Sequence, residues 1–335
     1  RFLHVAKDAL AKRHRVRVIY PDRPGFGGTT PVPAADRVRV WLEMVPALLG
    51  HLGVRRVSVA AQSAGTIYAL NTLLHQRGLL CAARPYVALI TPWVHPSRSG
   101  AGLMRAAAAL PDAVMGRFHA LAGFFQRSVA PVTAVSGVGF RAVSDMLPSL
   151  PRAAAAANPA ADAAAAGEAE GDGAAAARAR MTAFEEAVWE RIIDKVFAGS
   201  VQGLSEEAIL LLKRAGHPGY WGTWGDHDRL VTLLAEGEAA AAAATGGGGG
   251  AKLKVDVYFA EADHMIGTGE GPRWFKDCWR AERRGDLIDF SSCVVPGADH
   301  DSIVGLKFDV FDRIFRQVGW TGEGGGGDDG VSPSV

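Results

Sequence analysis

The apolar positions of the chain follow two periods in turn. Arg15–Tyr20 (RVRVIY) alternates charged and β-branched residues and stops at Pro21, which predicts a strand. Trp41, Met44, Val45, Leu48, Leu49 and Leu52 recur at helical spacing up to Gly53, an amphipathic helix with its stop signal. Val54–Ala60 (VRRVSVA) reads as a second strand. A helix carrying Ile67, Leu70, Leu73 and Leu74 starts just after Ser63. Tyr86–Val94 (YVALITPWV) is apolar enough for a strand covered on both faces. Leu253–Ala260 (LKVDVYFA) and Leu287–Val295 (LIDFSSCVV) predict two more strands, with a helix marked by Trp274, Phe275, Cys278 and Trp279 between them. Ile303 to Val318 predicts a last amphipathic helix. This alternation implies an α/β fold: a mostly parallel sheet with helices on both faces.

From Ser97 to about Gly216 the alternation stops and only helices are predicted: Met104–Leu110, Ala113–Val129, Val138–Leu147, Thr182–Phe197 and Ser205–Ala215. Ser205 is expected to cap the last of these, with Glu206 and Glu207 in its first turn. Such a block, inserted after a strand, predicts an all-helical cap over the strands' C-terminal ends, where open α/β sheets bind ligands. Residues 153–180 and 236–251 are Ala/Gly-rich, and the tail beyond Gly322 is rich in Gly, Asp and Ser. Without large apolar side chains to offset their ordering entropy, they are expected to be flexible. The domain reading is therefore core 1–96, cap 97–216 with the insert 153–180, core 217–320 with the insert 236–251, and a disordered tail 321–335.

Composition narrows the function classes. With 36 Lys+Arg against 35 Asp+Glu, the formal charge is +1, too balanced for a polyanion-binding surface, so no nucleic-acid partner is expected. No run of about 18 apolar residues is present, so no transmembrane helix is expected. Cys81, Cys278 and Cys293 are odd in number and widely spaced, which fits neither a disulfide framework nor a zinc site and points to a reducing, cytoplasmic setting.

The sharpest chemical signal is Val59-Ala60-Ala61-Gln62-Ser63-Ala64-Gly65 at a strand-to-helix junction. A serine there sits on a tight turn with its hydroxyl above the sheet, flanked by small residues that let strand and helix approach. Ala61 stands where the G-x-S-x-G pattern has glycine, and an ordinary N-cap serine is the competing reading. Chain order adds weight. A serine needs a base, and the base an orienting anion. Asp263 follows the Leu253–Ala260 strand and His300 follows the Leu287–Val295 strand, in the order Ser, Asp, His. Asp226 and Asp228 have no preceding strand, Glu261 falls at a strand end, and Asp299 and Asp301 read as loop or helix-cap residues. His227 and His264 belong to no compact ligand cluster, so neither a metal nor another cofactor is expected.

These residues resemble the α/β-hydrolase superfamily, serine hydrolases with a helical cap, over Arg1–Val94 and Leu253–Val318. Tyr20-Pro21-Asp22-Arg23-Pro24-Gly25-Phe26-Gly27-Gly28-Thr29 is similar to that family's D-x-P-G-x-G-x-S/T loop. The resemblance implies a nucleophile Ser63, a general base His300, an orienting acid Asp263, and the Ala64 N–H as one oxyanion donor. Gln62, beside Ser63, and Trp93, just past a strand's C-terminal end, are expected at the substrate pocket. A serine at the elbow, rather than the aspartate of epoxide hydrolases and haloalkane dehalogenases, implies acyl transfer to a small-molecule ester or related acyl compound. A proline-iminopeptidase-like peptidase and a non-catalytic scaffold are the alternatives. The second oxyanion donor normally follows an earlier strand, expected upstream of Arg1. Without it, roughly 3–4 kcal/mol of transition-state stabilisation would be lost.

Overall fold

The structure, a computed structural model, describes residues 5–109, 172–198, 203–213, 220–244 and 251–319. Its strands are β1 (Val59–Gln62), β2 (Tyr86–Ile90), β3 (Leu253–Ala262) and β4 (Ile288–Asp299). They form one sheet in the order β1-β2-β3-β4, every neighbouring pair parallel. The helices, in chain order, are α1 (Asp8–Arg13), α2 (Arg37–His51), α3 (Gly65–His75), α4 (Pro96–Ser99), α5 (Gly102–Ala108) and α6 (Asp172–Ala198). They continue with α7 (Gly203–Leu211), α8 (His227–Ala244), α9 (Glu270–Cys278), α10 (Ala281–Arg284) and α11 (Val310–Val318).

The two-residue period of the strands divides the interior into two cores. Val87 and Leu89 of β2, with Val255, Val257 and Phe259 of β3, face a core filled by Ile67, Leu70 and Leu73 of α3 and Leu230, Val231 and Leu234 of α8. Their alternates Ala88, Ile90, Tyr258 and Ala260 face a second core with Leu10 of α1 and Val310, Ile314 and Phe315 of α11. Both faces are covered, so the central strand β2 is buried at every position.

Several expectations are corrected. Residues 16–20 form no strand of the described sheet, and Val18 and Tyr20 are 46% and 47% exposed. The Val54–Ala60 strand shrinks to β1, because β2 offers partners only from Val59↔Val87 onward, with one isolated bridge at Val57↔Leu80. The last helix is only α11, preceded by two short 3₁₀ turns. Ser205 is no N-cap: α7 begins at Gly203, whose N–H donates to the Gly25 carbonyl, and Ser205 lies buried inside the helix. A Cβ on Gly25 would meet Gly203 backbone at 2.7 Å, so glycine is required at this contact.

The alanine-rich tracts are also less empty than expected. Residues 172–180, the end of the 153–180 tract, open the helix α6, and residues 236–244 complete α8. Alanine supplies the propensity; anchors supply the tertiary contact. Lys7 Nζ donates to Glu185 Oε1 at 2.5 Å, Glu185 Oε2 accepts from Leu306 N at 2.7 Å, and Arg178 pairs with Asp309. On α8, Arg77 Nε donates to Glu238 Oε1 at 2.5 Å. The predicted helices Ala113–Val129 and Val138–Leu147, most of residues 153–180, and the tail lie outside the described residues.

α7 is fastened to the core through Glu207. Its Oε2 accepts from Arg37 Nη2 at 2.5 Å, Arg37 Nε at 3.1 Å and Tyr68 Oη at 2.9 Å, while Arg23 Nη1 lies 3.2 Å from Oε1. The Arg37 side chain is 0% exposed, so Glu207→Ala strands a buried guanidinium. The expected loss is about 3–5 kcal/mol in stability, measured by denaturant unfolding. A loss below about 1 kcal/mol would mean that water or another group takes the place of the carboxylate.

Candidate active site

The site is built at the C-terminal ends of β1, β3 and β4. Ser63 follows the last residue of β1, and its N–H donates to the Ile90 carbonyl at 3.0 Å. Its φ of 50° is left-handed, a conformation that costs a non-glycine residue of order 1–3 kcal/mol. The turn is held by the Ser63 carbonyl, which accepts from Thr66 N at 2.9 Å and from the Thr66 hydroxyl at 2.6 Å. A Cβ on Gly65 would stand 3.7 Å from the Ala61 Cβ, an ordinary van der Waals contact, so the turn has room for Ala61 where the pattern has glycine. Ala64, the N-cap of α3, follows Ser63 directly.

Asp263 follows Ala262, whose pairing with Asp299 closes the β3–β4 ladder just past a register irregularity between Ala260 and Ala262. The residue is 2% exposed and its carboxylate is divided between two tasks. Oδ1 accepts from Met265 N at 2.8 Å and Ile266 N at 2.9 Å. Oδ2 accepts from His300 Nδ1 at 2.8 Å. Since the carboxylate can only accept, the imidazole carries its proton on Nδ1 and leaves Nε2 free to accept. The Ser63 Oγ lies 2.7 Å from that Nε2.

His300 is 4% exposed. Burial pulls its pKa down. The hydrogen bond and charge of Asp263, with the charges of Asp301 and Asp299, outweigh burial and hold it above the usual 6.5. Asp301 is pushed up to about 6, by burial first, against the pull of His300 and with Asp299 and Asp263 adding to the rise.

The other candidates have partners of their own. Gln62 Nε2 donates to the His300 carbonyl at 2.9 Å. Trp93 is 1% exposed, with its indole N–H donating to the Leu211 carbonyl at 3.2 Å, so it belongs to the first core. Asp299 Oδ1 accepts from Asp301 N and Ser302 N, a loop-capping role. Glu261 Oε2 accepts from Gly297 N, Asp226 Oδ1 from His227 N and Asp228 Oδ1 from Arg229 N. His264 is exposed. His227 donates from Nε2 to the Trp93 carbonyl at 2.8 Å among Trp221, Trp224, Trp274 and Phe275, and burial lowers its pKa to about 4. A cavity of about 630 Å³ lined by Arg84, Tyr86, Lys252 and Lys254 opens at the N-terminal ends of the strands, away from Ser63.

Sequence reasoning missed Thr91. It follows β2 with φ 39°, unusual for a β-branched residue, and its hydroxyl lies 3.5 Å from the His300 carbonyl. The available signal was a polar residue closing an otherwise apolar strand.

No family model and no curated protein matches the chain. Among solved structures it is similar to a carboxylesterase of the thaumarchaeon Nitrososphaera gargenis, at 13% identity and a TM-score of 0.49, over 93% of this chain and 83% of that one. It is similar also to the enol-lactonase of Burkholderia xenovorans, at 14% identity and a TM-score of 0.48, over 93% and 84%. A thermophilic esterase of Thermogutta terrifontis aligns at 15% identity and a TM-score of 0.47, over 95% and 82%. The four parallel strands in sequential order, with the serine elbow after β1 and the acid and histidine loops after β3 and β4, are the arrangement of the α/β-hydrolase fold.

Proposed function

We propose that the chain is a serine hydrolase that cleaves a carboxylic ester or related acyl bond through an acyl-enzyme. The observation that carries this reading is the unbroken relay from Asp263 Oδ2 through His300 to Ser63 Oγ, with donor–acceptor distances of 2.8 and 2.7 Å. Neutral His300 takes the hydroxyl proton at Nε2 as Ser63 Oγ attacks the carbonyl carbon. Asp263 holds the tautomer and stabilises the imidazolium. The Ala64 N–H donates to the developing oxyanion. His300 then protonates the leaving alkoxide, and the same base activates the water that releases the acyl group. The left-handed Ser63 supports this reading over a scaffold, since backbone strain is costly to keep without a use. An apolar acyl group is the proposed preference, from the Phe-, Leu- and Met-bearing segment read as the cap.

The test is hydrolysis of p-nitrophenyl acetate and butyrate as a function of pH. His300 must be neutral to act, so kcat/KM falls on the acid side as it protonates. Because Asp263, Asp301 and Asp299 hold the imidazole above 6.5, the midpoint of that fall lies above 6.5. A profile flat from about pH 5 to 9 would remove His300 from the mechanism.

A further inference from the structure

Asp263 orients the His300 ring from one side, but the backbone that carries the ring needs its own restraint. The β3–β4 ladder ends at Ala262↔Asp299, so His300 lies one residue beyond the last paired position. Its carbonyl is instead reached from the other two strands. Gln62, the last residue of β1, donates from Nε2 at 2.9 Å, and the Thr91 hydroxyl, just past β2, lies 3.5 Å away. Thr91 is fully buried, and its N–H is tied to the Tyr258 carbonyl of β3 at 2.7 Å. Gln62 immediately precedes Ser63, so one short segment carries both the nucleophile and a restraint on its base. The left-handed φ of 39° at Thr91, in a residue type that avoids it, marks the second restraint as a place where the fold accepts strain.

We infer that Gln62 and Thr91 are positioning residues, which hold the His300 main chain so that Nε2 meets Ser63 Oγ. This deepens the serine-hydrolase reading and rests on it. It also gives Gln62 a different task from the substrate contact that the sequence suggested. A donor on the histidine carbonyl acts on the geometry of proton transfer, so its loss falls on kcat. A substrate contact would fall on KM as well.

The experiment measures ester turnover and the rate of fluorophosphonate labelling at Ser63 in four variants beside the parent, with thermal unfolding as the check on folding. Gln62→Met keeps length and removes the donor, and Thr91→Val keeps the β-branch and removes the hydroxyl. Gln62→Met is expected to lower kcat and the labelling rate about five- to tenfold, the factor of one ordinary hydrogen bond, with KM within about twofold. Thr91→Val costs about threefold, matching its longer contact, and Thr91→Ser restores the parent rate. The double variant loses more than the product of the single losses, because each donor covers for the other on a shared acceptor. If Gln62→Met does not fold, Gln62→Glu serves: it has the same shape and sets an acceptor against an acceptor, so kcat falls further. A labelled parent with Gln62→Met labelled at the parent rate, or with the loss confined to KM, overturns the positioning role and leaves the serine-hydrolase reading standing. A folded parent that neither labels nor turns over ester removes both.

Discussion

Ser63→Ala is expected to fold like the parent and to lose on the order of 10⁶ in ester turnover. The change removes one hydroxyl at a half-buried position and keeps a Cβ, so neither the Ala61–Gly65 approach nor the Thr66 hydrogen bonds to the residue-63 carbonyl are altered. What disappears is the atom that attacks. His300 and Ala64 remain, and catalysis by a water in place of the serine is the residue of activity that such sites retain. Turnover of p-nitrophenyl acetate and the thermal unfolding midpoint are the two readings. A variant with turnover within about tenfold of the parent would show that Ser63 is a turn residue between β1 and α3 and nothing more.

Asp263→Asn is expected to cost on the order of 10⁴ in kcat. The loss follows from how the two carboxylate oxygens are used. Met265 N and Ile266 N both donate to Oδ1, so an asparagine at this position keeps its carbonyl oxygen there. Its NH₂ then faces His300 Nδ1. The imidazole must accept from that amide, which places its proton on Nε2, against the Ser63 hydroxyl it should deprotonate. The acid limb of the pH profile also moves down, because the group that raises the His300 pKa has lost its charge. Asp228→Asn should change kcat by less than about twofold, since the Asp228 side chain accepts from Arg229 N at the start of α8, a bond the asparagine oxygen keeps. The reverse ranking would move the orienting acid to Asp228.

How far the sequence carried this picture depends on whether a signal was local. β2 was legible because a strand buried on both faces needs a nearly continuous apolar run, and Tyr86–Ile90 supplies it; β3 was legible from the β-branched and aromatic residues of Leu253–Ala260, although Lys254 and Asp256 interrupt them. Ser63, Asp263 and His300 were legible because each closes or follows a predicted strand in one order along the chain. The Arg15–Tyr20 segment misled because alternation records a two-faced environment and says nothing of a neighbouring strand, and residues 16–20 are not part of the described sheet. Alanine tracts misled in the opposite sense. Their own side chains bury little, but Arg178, Glu185 and Glu238 fasten the helices to distant residues that no local window contains. Gln62 illustrates the limit at the site. Its neighbour Ser63 suggested a substrate contact, whereas its amide reaches a carbonyl 238 positions along the chain.

The central claim is that Ser63 is an activated nucleophile, and the most direct test is labelling of the folded protein with a fluorophosphonate, read by peptide mass spectrometry. The phosphonyl group reports activation of an oxygen without requiring the right ester. A single adduct on Ser63, absent from Ser63→Ala and formed far more slowly in Asp263→Asn, is the predicted result. A folded protein that takes up no label, or takes it up on a serine other than Ser63, would contradict the account.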